Sequence, residues 1–270
     1  MPVVAMTREM GSVGSAIAHE VAVRLDAELL RDELVRRAAA AYRVREAGLV
    51  GAIEETPGLL ERWRRRGHRY RIYLEAAVLE LALRERVVLV GRWSTLFLRG
   101  IRHAVRIRVC GSPEVRARRV MARHGLAHAE AVRRIAAYDE GVRARMRQMF
   151  DVDWTDPVLY DLVINTDAVT APTAVHQVLD LVAAPEFQPT PDSRRQLADR
   201  ALAAQVRAIL KATPATRAAD VDVQARDGRV FLAGVVASEA ERDAALQIAR
   251  EAPGVGEVAG ELKVFRRPVR

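Results

Sequence analysis

The chain has 270 residues, long enough for two domains that each bury a core, and half of its residues are apolar, which excludes a disordered chain. Its formal net charge of +8 comes almost wholly from arginine, because lysine occurs only at Lys211 and Lys263. This charge fits a solvated surface as well as an attraction to phosphates, nucleic acid or anionic lipid. The single cysteine, Cys110, excludes an internal disulfide and a thiol-rich metal cage.

Residues 1–184 alternate between predicted strands and helices. Short, nearly continuous apolar runs, typical of strands covered on both faces, predict strands at 3–6, 86–91, 104–110 and 160–165. Helices are predicted at 14–25, 31–47, 57–85, 112–124, 128–149 and 171–183. The alternation predicts an α/β fold, with a parallel sheet and crossover helices on both of its faces.

The remainder of the chain has a different pattern. Residues 185–193, PEFQPTPDS, contain three prolines and predict an extended Pro-rich linker between domains. Residues 194–270 predict a small α-β-β-α-β domain of the α+β class, in which an Asp-Gly turn closes a hairpin. No segment approaches the ~20 consecutive apolar residues of a membrane span. The first residues predict a strand and not an export signal, so we expect a cytoplasmic protein.

The segment REMGSVGSA, residues 8–16, lies between the first predicted strand and the first predicted helix. Glycines there let backbone N–H groups turn toward an anion, and the positive end of the helix would face it. We therefore predict that the following residues bind phosphate: Gly11, Ser12, Val13, Gly14 and Ser15. An ordinary glycine-bearing strand-to-helix turn is the alternative.

Four stretches resemble the nucleoside-monophosphate kinases, and more closely the cytidylate kinase-like family. They are TREMGSVGSAIAHEVAVRL, VVLVGRWSTLFLR, RIRVCGSPEVRARRVMARHG and FDVDWTDPVLYDLVINTDAV, which together span nearly all of residues 1–184 in the expected order. The resemblance implies a P-loop sheet with the first strand at its centre. It also implies phosphoryl transfer from ATP, with Mg²⁺, to a nucleoside monophosphate or a similar acceptor.

The loop departs from the usual kinase motif G-x-x-G-x-G-K-G-[ST]. If Gly11 takes the fourth position, Gly14 stands where lysine belongs and Ala16 where the magnesium-binding hydroxyl belongs. The first 210 residues contain no lysine, so any replacement cation must be arginine. Arg8 is the first candidate, since a guanidinium can bind two phosphate oxygens at once; a surface side chain at the strand edge is the alternative. We expect Glu9 to be a structural partner of Arg8.

The acceptor side and the lid follow from the same resemblance. Arg92, after the predicted strand 86–91, would contact the acceptor phosphate, and Trp93 stands where a cytidylate kinase has aspartate. Trp93 would pack under the lid or stack on a base. The lid pattern R-x-x-D-x-x-R retains only Asp139, with arginines out of phase around it. The predicted catalytic residues are therefore Arg8, Arg134, Arg143 and Asp139. A solvated arginine face is the alternative for the lid arginines.

The histidines are scattered, so we assign no protein-held metal, and Mg²⁺ would arrive with nucleotide phosphates. Residues 194–270 resemble a BON domain. Its G-x-V-x-L-x-G-x-V rhythm is found at Gly228, Val230, Leu232, Gly234 and Val236. That family is associated with phospholipid or envelope binding. The resemblance therefore implies that the domain binds a lipid, a small ligand or a partner protein, or forms a homo-oligomer. It implies no catalytic role for the domain.

Two functions remain open. One is ATP-dependent phosphoryl transfer by a kinase-type transferase, whose turnover is weak or lost and whose BON domain is regulatory. The other is a catalytically inactive nucleotide sensor or adaptor, whose BON domain binds a lipid, a small ligand or a partner. A third function, a nucleic-acid or membrane adaptor, is favoured only by the charge, and we do not expect a nucleic-acid partner.

Overall fold

The protein is described by a computed structural model that covers residues 1–31, 33–54 and 62–265, with side chains outside 51–54 and 62–68. In chain order the elements are β1 (Val3–Arg8), α1 (Gly14–Arg24), β2 (Glu28–Leu30), α2 (Glu33–Ala41), α3 (Glu46–Glu54), α4 (Arg62–Ala82), β3 (Val87–Val90), α5 (Ser94–Phe97), β4 (Ala104–Cys110), α6 (Pro113–His124), α7 (His128–Phe150), β5 (Leu162–Asn165), α8 (Ala171–Ala183), α9 (Pro191–Ala212), β6 (Asp220–Arg226), β7 (Arg229–Val236), α10 (Glu239–Glu251) and β8 (Glu257–Val264). Short 3-10 turns lie at Pro157–Leu159 and Pro185–Phe187.

The larger sheet has five parallel strands in the order β2-β3-β1-β4-β5, with β1 at its centre. Because all strands are parallel, their carboxyl ends meet at one edge, which is where open α/β sheets bind ligands. The residues that follow β1 and those that follow β3 therefore lie on the same edge. The predicted parallel sheet with a central first strand is confirmed.

Strand β1 is buried on both faces because helices cover both sides of the sheet. Val4 and Met6 pack in one core with α1 and α8. Val3 and Ala5 point the other way, into a second core with α4, α5 and α7. This two-sided burial accounts for the uninterrupted apolar run that the sequence shows.

Local departures from the predicted elements have identifiable causes. Strand β2 has only three residues, too few to show a pattern. The helix predicted over 31–47 is two helices, since Arg43 adopts a left-handed conformation (φ 50°) that ends α2. Residues 57–61 of the helix predicted over 57–85 lie outside the described part of the chain. Helix α5 is a single turn and was not predicted.

The smaller sheet has the order β6-β7-β8. Strands β6 and β7 form an antiparallel hairpin, whose turn residues Asp227 and Gly228 both have positive φ (49° and 78°), and β8 is parallel to β7. Ser238 caps α10 by accepting a hydrogen bond from the Glu241 N–H at 3.1 Å. The predicted α-β-β-α-β order is confirmed.

Residues 185–193 are not extended throughout. They hold the 3-10 turn Pro185–Phe187 and the first turn of α9, which Thr190 caps. Helix α9 then contributes to both halves of the molecule: Leu197 and Ala201 pack in a core of the larger sheet, whereas Val206 and Leu210 pack in the core of the smaller one. Within the described ranges, no helix is both long and apolar enough to cross a membrane.

Candidate functional site

The glycine loop, residues 9–15, connects β1 to α1 in a constrained conformation. Gly11 has φ 81°, and a Cβ there would lie 2.7 Å from the Arg116 carbonyl oxygen. A Cβ on Gly14 would lie 2.7 Å from the Cβ of Arg8, so the loop passes too close to its neighbours for larger residues. Val13 is left-handed (φ 55°), which is rare for a β-branched residue. Strain of this kind concentrates at functional sites.

The loop offers backbone groups, and of its two serines only Ser15 lines the loop cavity. No side chain caps α1, and the N–H groups of Gly14 and Ser15 precede the first hydrogen bond of the helix, from the Ala16 N–H to the Val13 carbonyl at 3.0 Å. Ser12 is fully buried, and its hydroxyl donates to the Glu9 carbonyl at 2.9 Å. The Ser12 carbonyl accepts a hydrogen bond from the Thr166 hydroxyl at 3.1 Å. The Ser12 hydroxyl thus stabilises the loop from inside.

A buried charge network lies beneath the loop. One oxygen of the Glu9 carboxylate accepts a hydrogen bond from Arg108 at 2.5 Å, and the other lies 3.3 Å from the Arg116 guanidinium. The same carboxylate accepts the Gly111 N–H at 3.1 Å. The expectation that Glu9 pairs with Arg8 is wrong, because β4 and α6 bring their own arginines to this carboxylate.

Asp139 belongs to the same network. Arg116 donates to its two oxygens at 3.0 and 2.6 Å and thereby joins α6 to α7. Since Arg116 is only 2% exposed, removing one partner would leave a charge unpaired in a buried setting. The structure places Asp139, predicted as catalytic, in this ion pair beside the loop.

The long motif FDVDWTDPVLY packs under the network. The Trp154 ring is fully buried and lies 5.2 Å from the guanidinium carbon of Arg108. The Tyr160 hydroxyl donates to the Trp154 carbonyl at 2.7 Å. Burial raises the pKa of Tyr160 to about 12, because the phenolate would lose its water. This motif therefore packs against Arg108, which in turn bonds to Glu9 at the start of the loop.

Arg8 and Arg31 lie beside the glycine loop. Both line the loop cavity, a space of about 400 Å³ bounded by residues 8–11, 13–16 and α6. The Nε atoms of both arginines are buried and lack a hydrogen-bond partner, while Arg31 Nη2 donates to the Ser15 carbonyl at 3.0 Å. Sequence reasoning missed Arg31 because it follows the three-residue strand β2, which shows no pattern.

Arg8 and Arg31 also line a second cavity of about 510 Å³. Its walls include Leu34, Leu74, Val78 and residues 90–94. Arg92 lies in this wall, with its guanidinium carbon 4.9 Å from the centre of the Tyr138 ring. The structure therefore brings Arg92 and Arg8 to one cavity.

Trp93 is 5% exposed and packs under α7. Its ring centre lies 6.2 Å from that of Phe97 and 5.3 Å from that of Phe150, which ends α7. Of the two roles that the sequence left open for Trp93, this position matches packing. One face of the aromatic cluster borders the second cavity, because Trp93 and Phe97 are among its lining residues.

The lid arginines predicted from the sequence lie elsewhere. Arg134 is exposed, Arg143 pairs with Glu140 on the surface of α7 at 2.7 Å, and neither lines either cavity. Arg119 and Arg123 of α6 line the loop cavity instead. Arg119 donates to the Thr166 carbonyl at 2.6 Å. The four-residue spacing of these α6 arginines was the sequence signal that could have identified them.

Among the described residues, no group of three or more His, Cys, Asp or Glu side chains could hold a metal ion. The cations around the glycine loop are guanidinium groups, and its donors are backbone N–H groups. Such an arrangement binds anions with several oxygens, and phosphate in particular.

Comparisons with known proteins find a relative by sequence and a solved structure that are similar to part of this chain. The chain is 34% identical over 107 residues to a cytidylate kinase of Pyrobaculum arsenaticum. The matched segment is 40% of this chain and 58% of the length of that protein. A solved structure of an uncharacterised protein from Eubacterium ventriosum matches with a TM-score of 0.54 at 19% identity, over 68% of this chain and 99% of the other. The second likeness shows a shared fold.

Two family models match separate parts of the chain. The BON domain model matches residues 198–265, which include most of α9 and the whole smaller sheet. The cytidylate kinase-like family model matches residues 3–168, which include the glycine loop, the charge network and all five strands of the larger sheet. Because that match covers more than half of the chain, the protein belongs to the cytidylate kinase-like family.

Proposed function

We propose that the protein binds ATP at the glycine loop and transfers its terminal phosphoryl group to a nucleoside monophosphate, or a similar acceptor, in the second cavity. The observation that carries this proposal is the position of Arg8 and Arg31, which line both cavities. A phosphoryl group that passes from one cavity to the other would pass these two guanidinium groups.

The residues of the chain would act by orientation and by electrostatics. Loop N–H groups and the start of α1 bind the donor phosphates, while Arg92 orients the acceptor. An acceptor phosphate oxygen attacks the terminal phosphorus, the bond from that phosphorus to the bridging oxygen breaks, and ADP leaves. Arg8 and Arg31 stabilise the negative charge on the transferred group. Leu34, Leu74 and Val78 supply apolar lining of the acceptor cavity.

Magnesium would be bound mainly by the nucleotide. Ala16 stands where the family motif has its hydroxyl, and the Ser12 hydroxyl is already hydrogen-bonded inside the loop. No group of three or more His, Cys, Asp or Glu side chains among the described residues could hold the ion, so Mg²⁺ bound to phosphate oxygens and water would accompany ATP. Each step above depends on arginines and backbone groups.

A nucleotide sensor without turnover is the second candidate function. It is favoured by the absence of a lysine at position 14 and by the distance of Arg134 and Arg143 from both cavities. In either function we assign the BON domain a regulatory role, and its ligand would be a lipid, a small molecule or a partner protein.

Calorimetry with ATP, combined with a phosphotransfer assay over the common nucleoside monophosphates, separates these functions. Binding of ATP together with formation of ADP and a nucleoside diphosphate supports the kinase. Binding of ATP without any product from any monophosphate supports the sensor. Absence of ATP binding would overturn both.

A further inference from the structure

One side chain links the two family-matched parts of the protein near the second cavity. Arg200 of α9 lies inside the segment that matches the BON domain. Its Nη2 donates to the Phe97 carbonyl at 2.7 Å, and its Nη1 donates to the Arg99 carbonyl at 2.7 Å. Both acceptors lie inside the cytidylate kinase-like segment.

The Phe97 carbonyl ends α5, and the Arg99 carbonyl lies two residues beyond that end. Helix α5 is one turn long, so the carbonyl groups at its end have no partner within the helix. A cation at that position satisfies them and interacts favourably with the negative end of the helix. Arg200 therefore fixes the carboxyl end of α5 from outside the larger domain.

Hydrogen bonds continue from α5 back to Arg92. The Phe97 N–H and the Leu96 N–H both donate to the Trp93 carbonyl at 3.0 Å. The Ser94 hydroxyl donates to the Gly91 carbonyl at 2.9 Å. The residues on both sides of Arg92 are thus bonded to the helix that Arg200 holds.

Helix α9 also supports the opposite wall of the second cavity. It packs against α4, and Arg207 lies 3.7 Å from Glu75 of that helix. Leu74 and Val78, on either side of Glu75, line the second cavity. Helix α9 therefore contacts two segments beside the second cavity: residues 97–99 through Arg200, and α4 through Arg207.

We propose that Arg200 is a positioning residue for acceptor binding: it holds α5 so that Arg92 stays at the second cavity. Through it, the BON-matched part of the chain sets the geometry of the acceptor side and leaves the glycine loop unaffected. The ligand-binding part of this inference rests on the proposed function, whereas the ordering of residues 91–99 does not.

Arg200→Ala tests the proposal, and Arg195→Ala is the matched control. Arg195 lines the same open cleft as Arg200, but its ion pair is with Asp192 of its own helix. In Arg200→Ala we expect faster amide exchange over residues 91–99 and roughly tenfold weaker binding of cytidine monophosphate. Affinity for ATP should change by less than about twofold, and Arg195→Ala should resemble the wild type.

Chemical rescue separates positioning from general loosening. Because Arg200 borders a cleft that is open to solvent, millimolar guanidinium chloride can enter the space that the alanine variant leaves. We expect it to slow exchange over residues 91–99 in Arg200→Ala, although the same salt loosens folded proteins in general. Arg200→Lys retains the charge but has fewer hydrogen-bond donors. Its amide exchange over residues 91–99 should therefore lie between that of the wild type and that of the alanine variant.

Unchanged exchange over residues 91–99 in Arg200→Ala would overturn the proposal. An equal increase of amide exchange in β1 and α1 that guanidinium does not reverse would also overturn it. If the alanine variant does not fold, amide exchange over residues 91–99 is measured in Arg200→Lys instead and decides the question. If the wild type binds no monophosphate, the proposed function fails, and the exchange and rescue results still decide whether Arg200 positions residues 91–99.

Discussion

The carboxyl edge of the larger sheet and the core of the smaller sheet bury different kinds of side chain. At the carboxyl edge of the larger sheet, Glu9, Arg108 and Arg116 form a charge network within the fold. The core of the smaller sheet consists of aliphatic residues such as Val230 and Leu232. Apolar packing is enough to stabilise a small domain, whereas buried charges lose hydration and persist only with full pairing.

The difference shows where the chemistry lies. The network shapes the glycine loop, because Gly11 rests against the Arg116 backbone and Glu9 begins the loop. In the described residues the core of the smaller sheet is aliphatic, and α9, which joins that core, packs against α4, whose Leu74 and Val78 line the second cavity. Breaking the network should therefore change both stability and binding, while breaking the aliphatic core should change stability alone.

Arg116→Ala should have the largest effect. It leaves Asp139 unpaired and Glu9 with Arg108 only, and the loss of one partner of a buried pair lowers the free energy of unfolding by about 3–5 kcal/mol. Urea denaturation measures the change. Arg118→Ala, on the exposed side of the same helix, is the control and should stay within about 0.5 kcal/mol of the wild type. Equal transitions for both variants would show that the network does not stabilise the fold.

Leu232→Ala tests the aliphatic core. Leu232 is 1% exposed, so its truncation should lower the free energy of unfolding by about 2–4 kcal/mol. Phe231→Ala is the control, because that neighbouring side chain faces outward and is 47% exposed. Affinity for ATP, measured while the variant is folded, should equal that of the wild type. A loss of affinity as large as that of Arg116→Ala would remove the distinction between the two regions.

Tyr160→Phe should have a smaller effect that depends on pH. The folded protein raises the pKa of Tyr160 from 10.0 to about 12, so the neutral side chain contributes stability that is fully present below pH 10 and is lost as the pH rises toward 12. The variant lacks this loss, which amounts to roughly 2 kcal/mol. Unfolding free energies from pH 9 to 12 should therefore fall less steeply in the variant. Parallel curves would contradict the burial of this hydroxyl.

The sequence predicted the fold correctly where an element is long enough to show a hydrophobic pattern. Apolar runs predicted the strands around β1, and the Asp-Gly turn predicted the β6–β7 hairpin. Short elements such as β2 and α5 carry too few residues to show a period, and Arg31 was missed for the same reason. The partners of Glu9 and Asp139 could not be predicted, because Arg108 and Arg116 approach them only through the packing of β4 and α6 against the loop.

Residues near the loop were easier to predict than the arginines assigned to a lid. Arg8, Gly11, Gly14 and Arg92 follow strands whose carboxyl ends share an edge, so strand order alone brings them together. Arg134 and Arg143 lie on the long helix α7, where one residue is a rotation of ~100° and decides which way a side chain faces. Their roles as lid arginines remain predictions.

The central claim is that the glycine loop binds phosphate with Arg8 as its cation. Titration calorimetry with ATP on the wild type, Arg8→Ala and Arg118→Ala tests it most directly. Loss of one charge-assisted contact should weaken binding roughly tenfold in Arg8→Ala, and the difference should shrink as salt is added. Arg118→Ala should bind as the wild type does. Equal affinities for all three proteins would contradict the account and leave the glycine loop as an ordinary strand-to-helix turn.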